Sequence, residues 1–96
     1  MHVYQIIKRP LITEKATRLA DEENVYVFEV DRRANRIQVK QAVEAIYGVH
    51  VEDVRMVNMK PKRGRWGRRI VVRKPAWKKA YVRLREGESI ELFEGV

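Results

Sequence analysis

Thirteen lysines and arginines, and not one carboxylate, lie between Arg55 and Arg85. The chain has 96 residues and a formal net charge of +8, so the +13 of that segment leaves the remainder at −5. Its densest part, "KPKRGRWGRRIVVRK", carries Lys60, Lys62, Arg63, Arg65, Arg68, Arg69, Arg73 and Lys74 around Trp66. The chemistry these side chains can do is the neutralisation of a polyanion. A guanidinium fork engages two phosphate oxygens at once, and its flat face stacks on bases. An indole between Arg65 and Arg68 either stacks on an unpaired base or folds down as an apolar clasp over its own loop. A run of cations is ordinary as a solvated surface. Thirteen without an intervening acid repel one another strongly enough to favour an anionic partner.

Other chemistries find little material. Ser89 is the only serine, His2 and His50 are the only histidines, and there is no cysteine. No nucleophile–base pair or metal-ligand spacing emerges from that inventory, so neither a catalytic site, a metal nor a cofactor is expected. Glu52 and Asp53 are adjacent, but neighbours on a strand point to opposite faces. Gly64-Arg65-Trp66-Gly67 has the GxxG form of a backbone clamp, yet it lies between strand signals instead of between helices. With 45% hydrophobic and 35% charged residues, few apolar side chains are spare to line a small-molecule cavity. No apolar run has the length of a membrane span or a leader. The expectation is a cytoplasmic protein without a small-molecule substrate or membrane insertion.

The elements that position the basic segment are legible from caps and periodicity. Thr13 reads as the N-cap of a helix, with Glu14 at the positive end of its dipole, and Glu22-Glu23-Asn24 as its break. "VYVFEV", Val25 to Val30, is apolar on both faces and predicts a central strand. Asn35 caps a second helix to Tyr47, with Val39, Ala42, Val43 and Ile46 on one stripe and Gly48 as its stop. Val49 to Lys60 predicts a long strand whose alternation slips near Glu52 and Asp53, as a bulge would make it do. Trp77 to Arg85 predicts another, with Ala80, Val82 and Leu84 on one face and Lys79, Tyr81, Arg83 and Arg85 on the other. The tail after Gly87 offers a final strand pairing.

The expected fold is therefore α+β, a small sandwich with a mainly antiparallel sheet, helices packed on it and a long basic hairpin loop. The whole chain, 1–96, reads as a single RNA-binding domain with a basic arm at 60–75. Pro61, Gly64, Gly67 and Pro75 argue against regular pairing inside that arm and predict an extended segment, mobile alone and ordered by its partner. A membrane surface would ask for an amphipathic helix, which the glycines and prolines forbid. A DNA reader would present a recognition helix or paired ribbon. A flexible Arg/Gly arm with an aromatic suits folded RNA. The face with Lys79 and Tyr81 either extends that surface onto the sheet or is solvated.

"IIKRPLITEKAT", then "VYVFEVDRRANRIQVKQAVEAIYGVHVEDV", then the basic loop and "WKKAYVRL" together resemble a universal ribosomal family, that of the twenty-third protein of the bacterial large subunit. The resemblance spans essentially the whole chain. It implies a structural role, binding large-subunit rRNA beside the exit of the nascent-peptide tunnel among neighbouring ribosomal proteins. It also implies a docking surface for trigger factor and the signal recognition particle. The family's RNA-penetrating hairpin corresponds to Lys60 through Lys74, and Lys78 and Lys79 of "WKKAYVRL" continue it. The chaperone-docking acid of the "TEKA" motif corresponds to Glu14, with Thr13 and Lys15 beside it. Arg55-Met56 departs from the Asn-Thr common in relatives. A different class of function for the same arm is a free-standing RNA chaperone or regulatory RNA binder.

Overall fold

Side-chain caps fix where the long helices begin. Thr13 Oγ1 accepts from the Ala16 amide at 3.0 Å and opens a helix over Glu14–Glu23. Asn35 Oδ1 accepts from the Gln38 amide at 2.8 Å, and Gln38 Oε1 accepts in return from the Asn35 amide at 3.0 Å, closing a capping box on Arg36–Tyr47. These helices end on Asn24 (φ 57°) and Gly48 (φ 67°), both left-handed stops that satisfy trailing carbonyls.

The computed structural model describes residues 2–92 and, within them, every side chain except those of Trp66, Val72, Arg73 and Lys74. The elements are α1 (Val3–Ile6), β1 (Ile7–Pro10), α2 (Glu14–Glu23), β2 (Val25–Val30), α3 (Arg36–Tyr47), β3 (Val51–Met59), β4 (Lys62–Trp66), β5 (Arg69–Lys74) and β6 (Trp77–Leu84). Four strands form one antiparallel-paired sheet in the order β1-β2-β6-β3. β6 thus enters between β2 and β3, which run parallel to each other and are joined by the α3 crossover. The expected central strand is internal, and the slip in β3 is a bulge that leaves Glu52 without an opposite residue on β6.

One sheet face is fully covered. Tyr26, Phe28 and Val30 of β2 and Ala80, Val82 and Leu84 of β6 meet Val39, Ala42 and Val43 of α3. Each fully buried Val, Leu or Phe contributes about 1.5–3 kcal/mol of transfer free energy. The opposite face is roofed only at one edge, where α2 covers Val25 and Val27 of β2 with Ala16.

The residues before Thr13, for which no period is long enough to read, form a one-turn helix and an edge strand, α1 and β1. Two expectations need correction. No strand follows β6 among the described residues; instead Ile90 is buried, and its amide donates to Tyr26 Oη at 3.1 Å. The basic arm is not unpaired. β4 and β5 form a separate two-stranded ribbon. Pro61 and Pro75 fall just outside its strands, so neither removes a ladder donor.

Candidate nucleic-acid interface

Trp66 opposes Arg69 in the ribbon, which leaves Gly67 and Arg68 as a two-residue turn. Gly67 has φ 61°, the left-handed conformation that such a turn needs at its first central position. Arg65 pairs with Ile70 and Arg63 with Val72, so Arg65 and Arg69 leave from opposite faces. Lys62↔Lys74 follows Arg63↔Val72 in the register, which makes Arg73 the extra residue of a bulge. Lys60, Lys62, Arg63, Arg65, Arg68 and Arg69 are exposed, and none of them is in an ion pair among the described residues. The side-chain placements expected for Trp66, Arg73 and Lys74 lie outside the described residues. The radius of gyration, 15.2 Å, exceeds the roughly 12.5 Å of a compact chain this long, as a projecting ribbon requires.

The two lysines of "WKKAYVRL" part company. Lys78 belongs to the covered face and donates from Nζ to the Ala34 carbonyl at 3.0 Å, tying β6 to the approach to α3. Lys79 belongs to the open face, its Nζ 5.2 Å from the Tyr81 ring centroid and 5.9 Å from that of Trp77. Arg55 and Met56 divide in the same way. Met56 packs against the core, whereas Arg55 is exposed opposite Tyr81. Between α2 and this face runs a groove lined by Lys15 and Leu19 on one side and by Tyr81 with Trp77, Lys79, Arg83 and Arg55 on the other. Sequence reasoning missed the groove, although Lys15, Leu19 and Glu23 stand at helical i, i+4, i+8 spacing and mark the stripe of α2 that lines it.

The "TEKA" residues are separated as well. Thr13 is engaged as the cap, Lys15 lines the groove, and the Glu14 side chain is 91% exposed with Arg18 Nη2 3.6 Å from it. Ile12 beside them is 47% exposed. This head of α2 lies near Trp77, at the ribbon end of the sheet. The chain's negative charge collects elsewhere: Asp21, Glu22, Glu23, Glu52, Glu86 and Glu88 line the far end. There Glu88 accepts from the His50 amide at 2.6 Å and lies 2.8 Å from its Nδ1, which holds the Glu88 carboxyl below the usual range.

A basic ribbon is thus carried on a split β-α-β sheet. Residues 5–92 match the model of the family described as Ribosomal protein L23. The chain belongs to the ribosomal protein L23 family. It is 56% identical to large ribosomal subunit protein uL23 of Anaeromyxobacter sp. (strain K), over 97% of this chain and 95% of that one. With the uL23 proteins of Syntrophus aciditrophicus (strain SB) and Desulfovibrio desulfuricans (strain ATCC 27774 / DSM 6949 / MB) the identities are 49% and 50%, over 98% and 100% of this chain and 97% and 100% of theirs. Membership in the L23 family makes the chain a structural ribosomal component and not an enzyme, working at the ribosome in the cytoplasm. Ribosomal RNA and other ribosomal proteins are therefore its partners. No helix among the described residues is long and apolar enough to cross a membrane.

Proposed function

We propose that this chain, as one RNA-binding unit with its arm at 60–75, anchors in large-subunit rRNA near the exit of the peptide tunnel. The observation that carries the reading is the ribbon: exposed cations leave both of its faces, and none is paired with a carboxylate among the described residues. A paired ribbon holds those cations at fixed spacing before RNA arrives, so less ordering entropy opposes binding than a loose arm would incur. Lys60, Lys62, Arg63, Arg65, Arg68, Arg69, Arg73 and Lys74 supply the phosphate contacts, with Trp66 among them as a stacking partner.

The same proposal gives the head of α2 to protein partners. Glu14 and Thr13, with the exposed Ile12 beside them, make a small mixed patch suited to docking trigger factor and the signal recognition particle, while Lys15 next to them lines the groove instead. The test is binding of the purified chain to large-subunit rRNA, competed with bulk tRNA at two salt concentrations. Tight binding that survives competitor and added salt supports a shaped RNA site. Binding abolished by either refutes it and leaves a nonspecific polycation. Release from large subunits in a high-salt wash would point instead to a free-standing RNA chaperone.

A further inference from the structure

The open half of the sheet presents a different chemistry from the ribbon. Along β6, Trp77, Lys79 and Tyr81 stand on one face, with the Lys79 ammonium near both rings. The half of the groove that reaches Trp77 is lined by Lys15 and Lys79 with apolar residues and Thr13, and by Arg9, whose Nε is paired with Glu29 Oε1 at 3.0 Å, so Lys15 and Lys79 carry its unpaired charge. The other half is mixed: Arg55 and Arg83 stand with Glu23 and Asp53. Beyond it lies the carboxylate-rich end of the sheet. Positive charge therefore grades along the groove from the ribbon end, where β3 and β6 continue into β4 and β5.

We propose that an unpaired RNA strand passes from the ribbon into the groove between α2 and the outer face of β6 and β3, with a base stacked on Tyr81. This rests on the rRNA-binding reading above and deepens it. Aromatic faces flanked by cations bind single-stranded RNA by stacking and phosphate pairing together. Lys15 and Arg55 stand on opposite walls, so they meet the backbone on both sides of a base lying on the floor. Glu23, Asp53 and the carboxylates beyond repel phosphate and stop the strand there. The aromatic floor favours RNA, whose bases stack on it, over an acidic peptide that the cations would attract equally.

The experiment measures binding of the full chain to a large-subunit rRNA transcript and maps photo-crosslinks to the protein. Wild type is expected to crosslink within 77–83 as well as within the ribbon. Tyr81→Leu keeps the apolar bulk, removes the π face and is expected to weaken binding about tenfold. Lys15→Gln, at an exposed position with no ion pair among the described residues, is expected to shorten the salt slope by about one contact without altering folding. It keeps the test valid if Tyr81→Leu unfolds. If wild type binds, Arg65, Arg68 and Arg69 substitutions weaken it, and both groove variants keep wild-type affinity, the groove proposal is overturned while the ribbon stands. The groove would then be a protein-docking surface. If wild type fails to bind the transcript, the rRNA reading itself falls, and this proposal with it.

Discussion

Replacing Arg65, Arg68 and Arg69 together with alanine tests whether the ribbon pairs with phosphates. All three are exposed, and none makes an ion pair among the described residues, so truncation leaves no orphaned carboxylate to confuse the result. Each phosphate contact contributes about 0.7 to 0.9 to the slope of log K against log salt. Three lost contacts make the slope shallower by roughly 2 to 3. Raising salt threefold changes its logarithm by about 0.5, so the variant's affinity deficit narrows about tenfold over that range. Filter binding or fluorescence anisotropy with large-subunit rRNA at 0.1 and about 0.3 M salt measures this directly. A deficit that stays constant across salt would show that these arginines contribute packing or stacking and not charge neutralisation, and the ribbon argument would fail.

Glu14→Ala is expected to leave rRNA affinity unchanged while weakening trigger factor binding to ribosomes; an equal loss of both would mean that α2 does not divide RNA from protein. Phe28 is 0% exposed with its ring centroid 5.7 Å from that of Tyr47, so Phe28→Ala should remove about 3–5 kcal/mol, a large part of the total stability of a chain this size. Urea denaturation should show a midpoint lower by roughly 2 M or more, and a shift under about 0.5 M would contradict the assigned core. The His50 contacts lower the Glu88 pKa, so the stability this carboxylate contributes is fully present above its ordinary value of 4.5. That contribution is lost as pH falls through the depressed folded-state value. Glu88→Gln should therefore make stability less sensitive to acid over that window, and thermal melts with an unchanged pH profile would show that the His50–Glu88 contact does not form in solution.

Which parts of this structure could be read from the chain follows from how many residues carry each signal. α2 and α3 have side-chain caps and left-handed stops, β3 and β6 have nine and eight residues of alternation, and β2 is a β-branched and aromatic run. The bulge at Glu52 was visible because it reverses a burial phase. α1 and β1 have four residues each, too few for any period, and β1 exists because β2 offers it an edge. The ribbon was misjudged by counting breakers without placing them. Pro61 and Pro75 flank the strands, and Gly67 makes the turn. The basic charge of the site was legible, since like residues cluster in sequence. The groove was not, because Lys15 and Tyr81 are brought together only by the packing of α2 over the sheet.

Topology explains why the charge is partitioned as it is. Because β3 and β6 are antiparallel neighbours, the connection between them must leave from the end where Met59 pairs with Trp77. Every cation from Lys60 to Lys74 is carried on that connection. The other end, where Val51 pairs with Leu84, gathers the carboxylates of α2, β3 and the segment after β6. Eight strand residues at about 3.3 Å each put those ends roughly 25 Å apart. That is about three Debye lengths at physiological salt, so the acids do not neutralise the ribbon; they make the far end a poor site for RNA. Along the same axis α2 stands as a wall. Lys15 and Leu19 line the groove, while Glu14 faces solvent. RNA on the inner side of the helix and protein on the outer side can then be held at once. The two losses should accordingly be independent: a Tyr81→Leu, Glu14→Ala double variant is expected to bind RNA like the first single variant and trigger factor like the second, and coupling between them would mean that the wall is shared.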